Sequence, residues 1–527
     1  MDRPSNPIDV SNITPTPATA SRVYDHAKNE NKSENLPVEL LIKIFSYASG
    51  LCGRDHIDIH STGHYAPRLH TMARVCRRWR EIIVGAPELW TFITDRDPTN
   101  AFLALDRLQS RPFGLEFMDV STNGRLYTAV SQHSNRWTWA DLRFVPGEGR
   151  ALFMLEEVNV PLLRYFQLGY FPWDRNTTIT LDLFRDHPPK LTALVLTSIT
   201  MYRWNSPIFG PHLHSLKLET ILTSGPTRKD LRGILRACPR LAHLELAHVA
   251  FTDEASDLPP EDLRVPLPLL HTLLLKPLSP TDATDIARMA ETPHCRNYSV
   301  SRNLETPRPI SLLAVTLQVQ QPFEASIASA SSLDIHLDGY WIHITCRDGK
   351  SPSSDFHLKL GNIGSCKEVL DWLNSMLLNR RSSPFPLPIH VQLEYTDRPP
   401  TPPPDLLQLS SVQSLTITDR ILGYARYLTK ALSVPRDLEN GGSGWPWPSL
   451  RKVTIRSLDD SSSATLLHMV KTRAEAALRQ QAAGDINAIA MLERLEVGGN
   501  LFTIEEVEVI GAILGRALVI TPVAKDI

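Results

Sequence analysis

The chain lacks most of what marks a secreted, membrane-spanning or self-sufficient catalytic protein. Its six cysteines (Cys52, Cys76, Cys238, Cys295, Cys346, Cys366) are scattered through 527 residues and form no Cys-x-x-Cys pair. The amino-terminal stretch is polar and rich in proline, with no apolar signal core. Together these features point to a reducing setting, cytoplasmic or nuclear. No run approaches the roughly 18 apolar residues of a membrane span, and even the apolar tail at 507–520 is interrupted by Glu508 and Arg516. One-sided charge is missing as well: a formal net charge of -2 offers no bulk attraction to nucleic acid or to an anionic membrane. There is no G-x-x-x-x-G-K-[ST], no H-E-x-x-H, no G-x-S-x-G and no Rossmann glycine fingerprint. No histidine or carboxylate set has the spacing of an acid–base or nucleophile constellation, so the reading is a non-catalytic chain that needs no cofactor.

What is present suits a folded protein. Hydrophobic residues make up 42% and charged ones 21%, which argues against global disorder. The length allows several domains or one extended array. Residues 1–34, rich in Ser, Thr, Asn and Pro, carry too little apolar area to offset ordering entropy and read as a solvated leader.

Residues 35–92 form a distinct helical module. Leu40, Leu41, Ile44, Phe45 and Ala48 recur at helical spacing. Pro37 suits the first turn, Glu39 favours the positive helix start, and Gly50 can end the helix. A second segment puts Leu69, Met72, Ala73, Cys76, Trp79 and Ile83 on one face, with Arg74, Arg77, Arg78 and Arg80 mostly off it. Those arginines read as a solvated face that can also receive acidic residues of a partner. Helices this short need one another and something larger. Leu36-Pro37-x-Glu39-Leu40, then Ile44-Phe45, Val75-Cys76-x-x-Trp79 and Leu89-Trp90 resemble the F-box, of the kind found in fungal-type F-box proteins. The resemblance implies docking on a Skp-type adaptor and, through it, on a cullin–RING ubiquitin ligase. The residues it assigns to the adaptor side are Leu36, Pro37, Leu40, Leu41, Ile44 and Trp79.

The family joins these helices by a short polar turn, whereas here residues 51–67 form a longer insert. It holds Cys52, His56, His60 and His64 at equal spacing, four candidate zinc ligands. Gly53, Ser61, Thr62 and Gly63 discourage the continuous helix that would align them. The plain alternative, a polar loop rich in histidine, leaves the metal assignment at none.

Beyond the module a phrase recurs: P-x-L-x-x-L-x-L. It begins at Pro161, Pro189, Pro211, Pro239 and Pro268, at spacings of 28, 22, 28 and 29 residues. Five copies at such a period indicate a solenoid, and they resemble the irregular leucine-rich repeats that often follow an F-box. The expected fold class is α/β: residues 93–527 as curved, parallel short strands with outer helices. An irregular strand cluster interrupts them near 300–362. Earlier strands are expected around Leu115–Phe117 and Leu142–Phe144. Helices are expected around 227–235, 282–290, 368–378 and 464–482. Later strands are expected after Ile389, Val412, Leu450 and Leu492. The proline run at 399–404 and the loop at 441–445 read as surface excursions.

Period-two alternation then selects outward positions between the core leucines: Gln167, Val195, Lys217, Glu245 and Leu274, with Tyr165, Ser215, His243 and Thr272 beside them. These form the expected concave, target-binding face of a substrate-recruiting subunit that contacts no nucleic acid and no membrane. The competing class is an interaction protein whose F-box-like helices cap the open end of the array. Elemental analysis of protein purified without chelator is expected to find no stoichiometric zinc; zinc at one equivalent would overturn the polar-loop reading of the insert.

Overall fold

Two apolar periods organise the chain, and they fall in two units, Met1–Leu89 and Trp90–Ile527. The computed structural model describes residues 36–49, 66–120, 122–145, 152–171, 179–252, 264–302, 322–338, 341–349, 355–361, 366–379, 387–395, 409, 411–419, 424–437, 443–456, 460–484, 489–498, 503–514 and 518–521.

In the first unit, α1 spans Val38–Ala48 with Pro37 at its N-cap, where the Pro37 carbonyl accepts from Leu41 N–H at 3.1 Å. The helix ends on Ser49, whose N–H donates to Phe45 O at 2.8 Å; Gly50, the expected terminator, lies outside the described residues. The segment from Leu69 to Ile83 is two helices rather than one, α2 (Ala66–Ala73) and α3 (Arg77–Gly85). The break has a local cause. Cys76 is extended and its sulfur accepts from Trp79 N–H at 3.4 Å, serving as N-cap of α3. Cys76 is therefore exposed instead of lying on the apolar face.

Among the described residues, the second unit is built on a 17-stranded sheet. Its strands are β1 (Phe92–Thr94), β2 (Phe113–Phe117), β3 (Trp137–Phe144), β4 (Tyr165–Tyr170), β5 (Ala193–Thr197), β6 (Ser215–Ile221), β7 (His243–Val249), β8 (Thr272–Leu278) and β9 (Asn297–Arg302). After these come β10 (Ser332–Asp338), β11 (Trp341–Arg347), β12 (Phe356–Gly361), β13 (Ile389–Tyr395), β14 (Val412–Asp419), β15 (Lys452–Ile455), β16 (Arg494–Gly498) and β17 (Leu518–Thr521). From β1 to β9 each strand pairs in parallel with the next. The chain then skips ahead. β9 pairs with β12, which runs antiparallel to β11, itself antiparallel to β10; β10 then pairs in parallel with β13. Parallel pairing resumes to β17. The irregular cluster near 300–362 is thus a hairpin pair inserted into a parallel ladder.

Register explains the recurring phrase. Phe166, Leu194, Leu216, Leu244 and Leu273 are partners across β4–β8, as are Leu168, Leu196, Leu218, Leu246 and Leu275. All ten are buried, and the first row continues to Ile93 at one end and Leu495 at the other. Fully burying one such side chain is worth about 1.5–3 kcal/mol as an upper estimate. The phrase is also longer than its leucines suggest. Ser198, Thr220 and His248 follow β5, β6 and β7 positions already in register, and each takes a positive φ of 56°, 56° and 53°. That left-handed residue resets the alternation, so that Ile199, Ile221 and Val249 return to the core.

Connecting helices cover the apolar side. Helix Arg228–Ala237 opens on a capping box, in which Thr227 and Asp230 each accept from the other's N–H at 3.0 Å, and it buries Leu231, Ile234 and Leu235. Helix Pro280–Met289 is capped by Ser279, and Arg228 ties the two helices together through Asp282 at 2.6 Å and Asp285 at 3.0 Å. At the hairpin insertion, Phe323 packs on Phe356 and on Trp372 of helix Cys366–Asn379, with ring centroids 5.4 and 4.7 Å apart. That helix begins at Cys366, two residues before its expected start.

Leu218→Ala, in the middle of an apolar row, is expected to cost about 2–5 kcal/mol in chemical denaturation, because the leucines on either side cannot collapse into the space. His212→Ala, exposed just before β6, is expected to stay within about 0.5 kcal/mol.

Candidate functional site

The first candidate surface lies on α1. Helical geometry sends Leu41 and Phe45 inward, both fully buried, and Phe45 meets Trp79 edge-on with ring centroids 4.9 Å apart. Ile83 and Leu69 are buried with them. The other side of the same helix is apolar too, and it is uncovered: Leu40 and Ile44 are each 46% exposed and Tyr47 is 72% exposed. Pro37 is exposed, while Leu36 and Trp79 are half-buried. Of the six residues assigned to the adaptor side, then, Pro37, Leu40 and Ile44 present an open apolar stripe, and Leu41 belongs to the interior. Val38, Tyr47 and Val84 are exposed apolar side chains that reading by motif passes over. Tyr47 follows Ile44 by three positions, a spacing visible in the sequence. Among the arginines, Arg74, Arg77 and Arg80 are exposed, whereas Arg78 is half-buried and donates to Leu36 O at 2.6 Å, fixing the start of α1 to α3. Cys52, His56, His60 and His64 lie outside the described residues. Among the described residues no group of three or more His, Cys, Asp or Glu is placed to hold a metal ion. No helix among them is long and apolar enough to cross a membrane.

The second candidate surface is the face of the sheet opposite the leucine rows. Register lines up Thr94, Glu116, Asp141, Gln167, Val195, Lys217, Glu245, Leu274 and Ser299 in one row from β1 to β9. Lys359, His343, His336, Gln392, Thr416, Thr454 and Glu496 continue it through the hairpin insertion to β16. Tyr165, Ser215, His243 and Thr272 fall in the adjacent row. The sequence-selected residues share one face, yet facing away from the core does not leave them all accessible. Tyr165, Val195 and Glu245 are buried, whereas Gln167, Ser215, Lys217, His243, Thr272 and Leu274 are half-buried. Side chains in the row are large enough to cover one another. Tyr165 stacks on Trp139 at 5.2 Å and its hydroxyl donates to Gln167 Oε1 at 2.6 Å.

The carboxylates of this row are paired with cations in it and beside it. Lys276 and Lys217 reach Glu245 at 2.8 and 3.7 Å, with His243 at 3.7 Å. Burial pushes the Glu245 carboxyl up, but hydrogen bonds from His243 and Lys276 and the charge of Lys217 hold it at about 2. Arg96 pairs with Glu116 and Arg143 with Asp141, both at 3.3 Å. His343 is lowered to about 4, first by burial and then by His357, Lys359 and His336, against a pull from Asp334. Asp141 behaves oppositely. Burial raises it to about 6, with Glu116 adding to the shift and Arg143 and Arg96 opposing it.

A carboxyl raised from 3.8 to about 6 on folding costs stability when ionised, and that cost fades as pH falls through 6 toward 4. Asp141→Asn is therefore expected to be more stable than the parent above pH 7, by up to about 3 kcal/mol. The two are expected to converge as pH falls. The measurement is the difference in denaturation midpoint between the two proteins across this range, in which the opposite contribution of His343 cancels. A constant difference would sink the assignment.

In comparison with known proteins, no curated protein matches the chain. Residues 33–96 match the family model described as F-box-like. The chain carries an F-box-like domain, and that domain contains α1, α2, α3 and β1.

Proposed function

We propose that this chain is a substrate-recruiting subunit of a Skp–cullin–F-box ubiquitin ligase. The observation that carries the reading is the F-box-like match over residues 33–96, with Pro37, Leu40 and Ile44 exposed on its first helix. An open apolar stripe on a short helix is what an adaptor would cover, and burying it supplies the non-directional part of the affinity. On this reading Leu41 and Phe45 hold the domain together and Leu36, Pro37, Leu40, Ile44 and Trp79 make the adaptor contact.

The second unit is then an irregular leucine-rich-repeat-like array that presents a target protein, with Gln167, Lys217, His243, Thr272 and Leu274 among the contacts. The chain itself performs no bond chemistry. It acts by holding a target lysine near the ubiquitin-loaded enzyme, raising the effective concentration of the reacting groups. Such a complex works in the cytoplasm or nucleus.

A Pro37→Ala/Ile44→Asp double variant is expected to lose co-purification with the Skp-type adaptor while keeping its far-ultraviolet circular dichroism. Undiminished co-purification by the folded variant would remove this reading.

A further inference from the structure

Parallel strands in register bring their starting segments to one end of the sheet. The four residues before each of β2 to β9 are 109–112, 133–136, 161–164, 189–192, 211–214, 239–242, 268–271 and 293–296. These 32 residues include Arg111, Arg136, Arg164, Lys190, Arg240 and Arg296, five histidines, and no Asp or Glu. With 57 acidic residues in 527, a stretch of that size would ordinarily hold about three. Backbone hydrogen bonds join segments from β4 onward strand to strand: Thr192 to Arg164 at 2.6 Å, and His214 to Thr192, Ala242 to His214 and His271 to Ala242 each at 2.8 Å. Arg296 N–H continues to His271 O at 2.9 Å. Lys190, Arg240 and Arg164 are exposed, and Arg164 leans along the edge to Lys190 O at 3.0 Å. Glu157, Asp186 and Glu291 precede these segments in the connectors and are not among the 32 residues.

We infer that the ridge along the starts of β2–β9 is a docking surface for an extended acidic polypeptide segment. Strand spacing of about 4.8 Å makes the ridge about 33 Å long, the span of roughly ten extended residues. Its charge is moderate and spread out, which suits carboxylates set along a peptide. A single-stranded nucleic acid would ask for aromatic side chains on which bases stack, and the 32 residues contain no Phe, Tyr or Trp. Exposed Leu162 and Leu269 in the same ridge offer apolar contacts to a peptide instead. The inference does not rest on adaptor binding.

The test is fluorescence anisotropy of a short labelled oligoglutamate peptide with the full chain. Binding is expected to weaken as salt rises and to fall about tenfold or more in Lys190→Glu/Arg240→Glu. Lys430→Glu, an exposed cation on helix Tyr424–Leu432 and not part of the ridge, is expected to leave it unchanged. Should the double reversal fail to fold, Lys190→Gln/Arg240→Gln gives a smaller loss in the same direction. Equal binding by parent and folded ridge variants would overturn the proposal. So would an equal-length single-stranded oligonucleotide that binds more tightly and displaces the peptide. Co-purification of the adaptor by the ridge variant, measured in parallel, keeps this result separate from the ligase reading.

Discussion

Strand register is the constraint on which the second unit depends. A parallel pair offset by one residue would turn every leucine of the phrase to the wrong face, because side chains alternate with a period of two. Neighbouring strands share the same two apolar rows, so a slip anywhere would be paid for along the whole ladder. The proline that opens each phrase lies before the strand, where no ladder N–H is needed, and it leaves the pairing intact. The left-handed residue just after β5 and near the ends of β6 and β7 follows from the same constraint: it lets a third apolar side chain reach the core without disturbing the first two.

The opposite face obeys different physics. Glu245, Asp141 and Glu116 are buried carboxylates, and removing them from water is costly unless a cation compensates. Nearby residues supply the cations: Lys276 and Lys217 from adjoining strands to Glu245, Arg143 from the same strand to Asp141, and Arg96 from just after β1 to Glu116. Compensation is uneven. Glu245 has three basic neighbours and stays ionised, whereas burial, with a smaller push from Glu116, raises Asp141 to about 6 despite Arg143. A surface whose charges are already matched steers partners weakly, so recognition there depends on shape and short-range contact.

Much of this architecture was legible from residue order. The five phrases located their strands because leucine at period two has little other use, and the helix over 227–235 was visible in the spacing of Leu231, Ile234 and Leu235. The break between α2 and α3 was not, since a cysteine is an unusual N-cap and the apolar spacing runs through it. Nor was the burial of Tyr165, Val195 and Glu245. Alternation tells which face a side chain points to, while accessibility depends on the size of its neighbours across the sheet, Trp139 above all. In the F-box-like domain the motif fixed the helix, and only the packing of Phe45 on Trp79 separated inward Leu41 from outward Leu40 and Ile44.

The hairpin insertion has a consequence for how the molecule assembles. Up to β9 each strand docks on one made immediately before it, so pairing can grow from short-range contacts. β10 cannot join that edge directly, because β11 and β12 must be formed and folded back to stand between it and β9. The sheet has a joint there, where growth waits on a local event. Strands β13–β17 build on the far side of that joint. The two parallel stretches of the ladder are thus joined only through the antiparallel strands β10, β11 and β12 among the described residues, so the continuity of the apolar rows depends on that three-stranded splice.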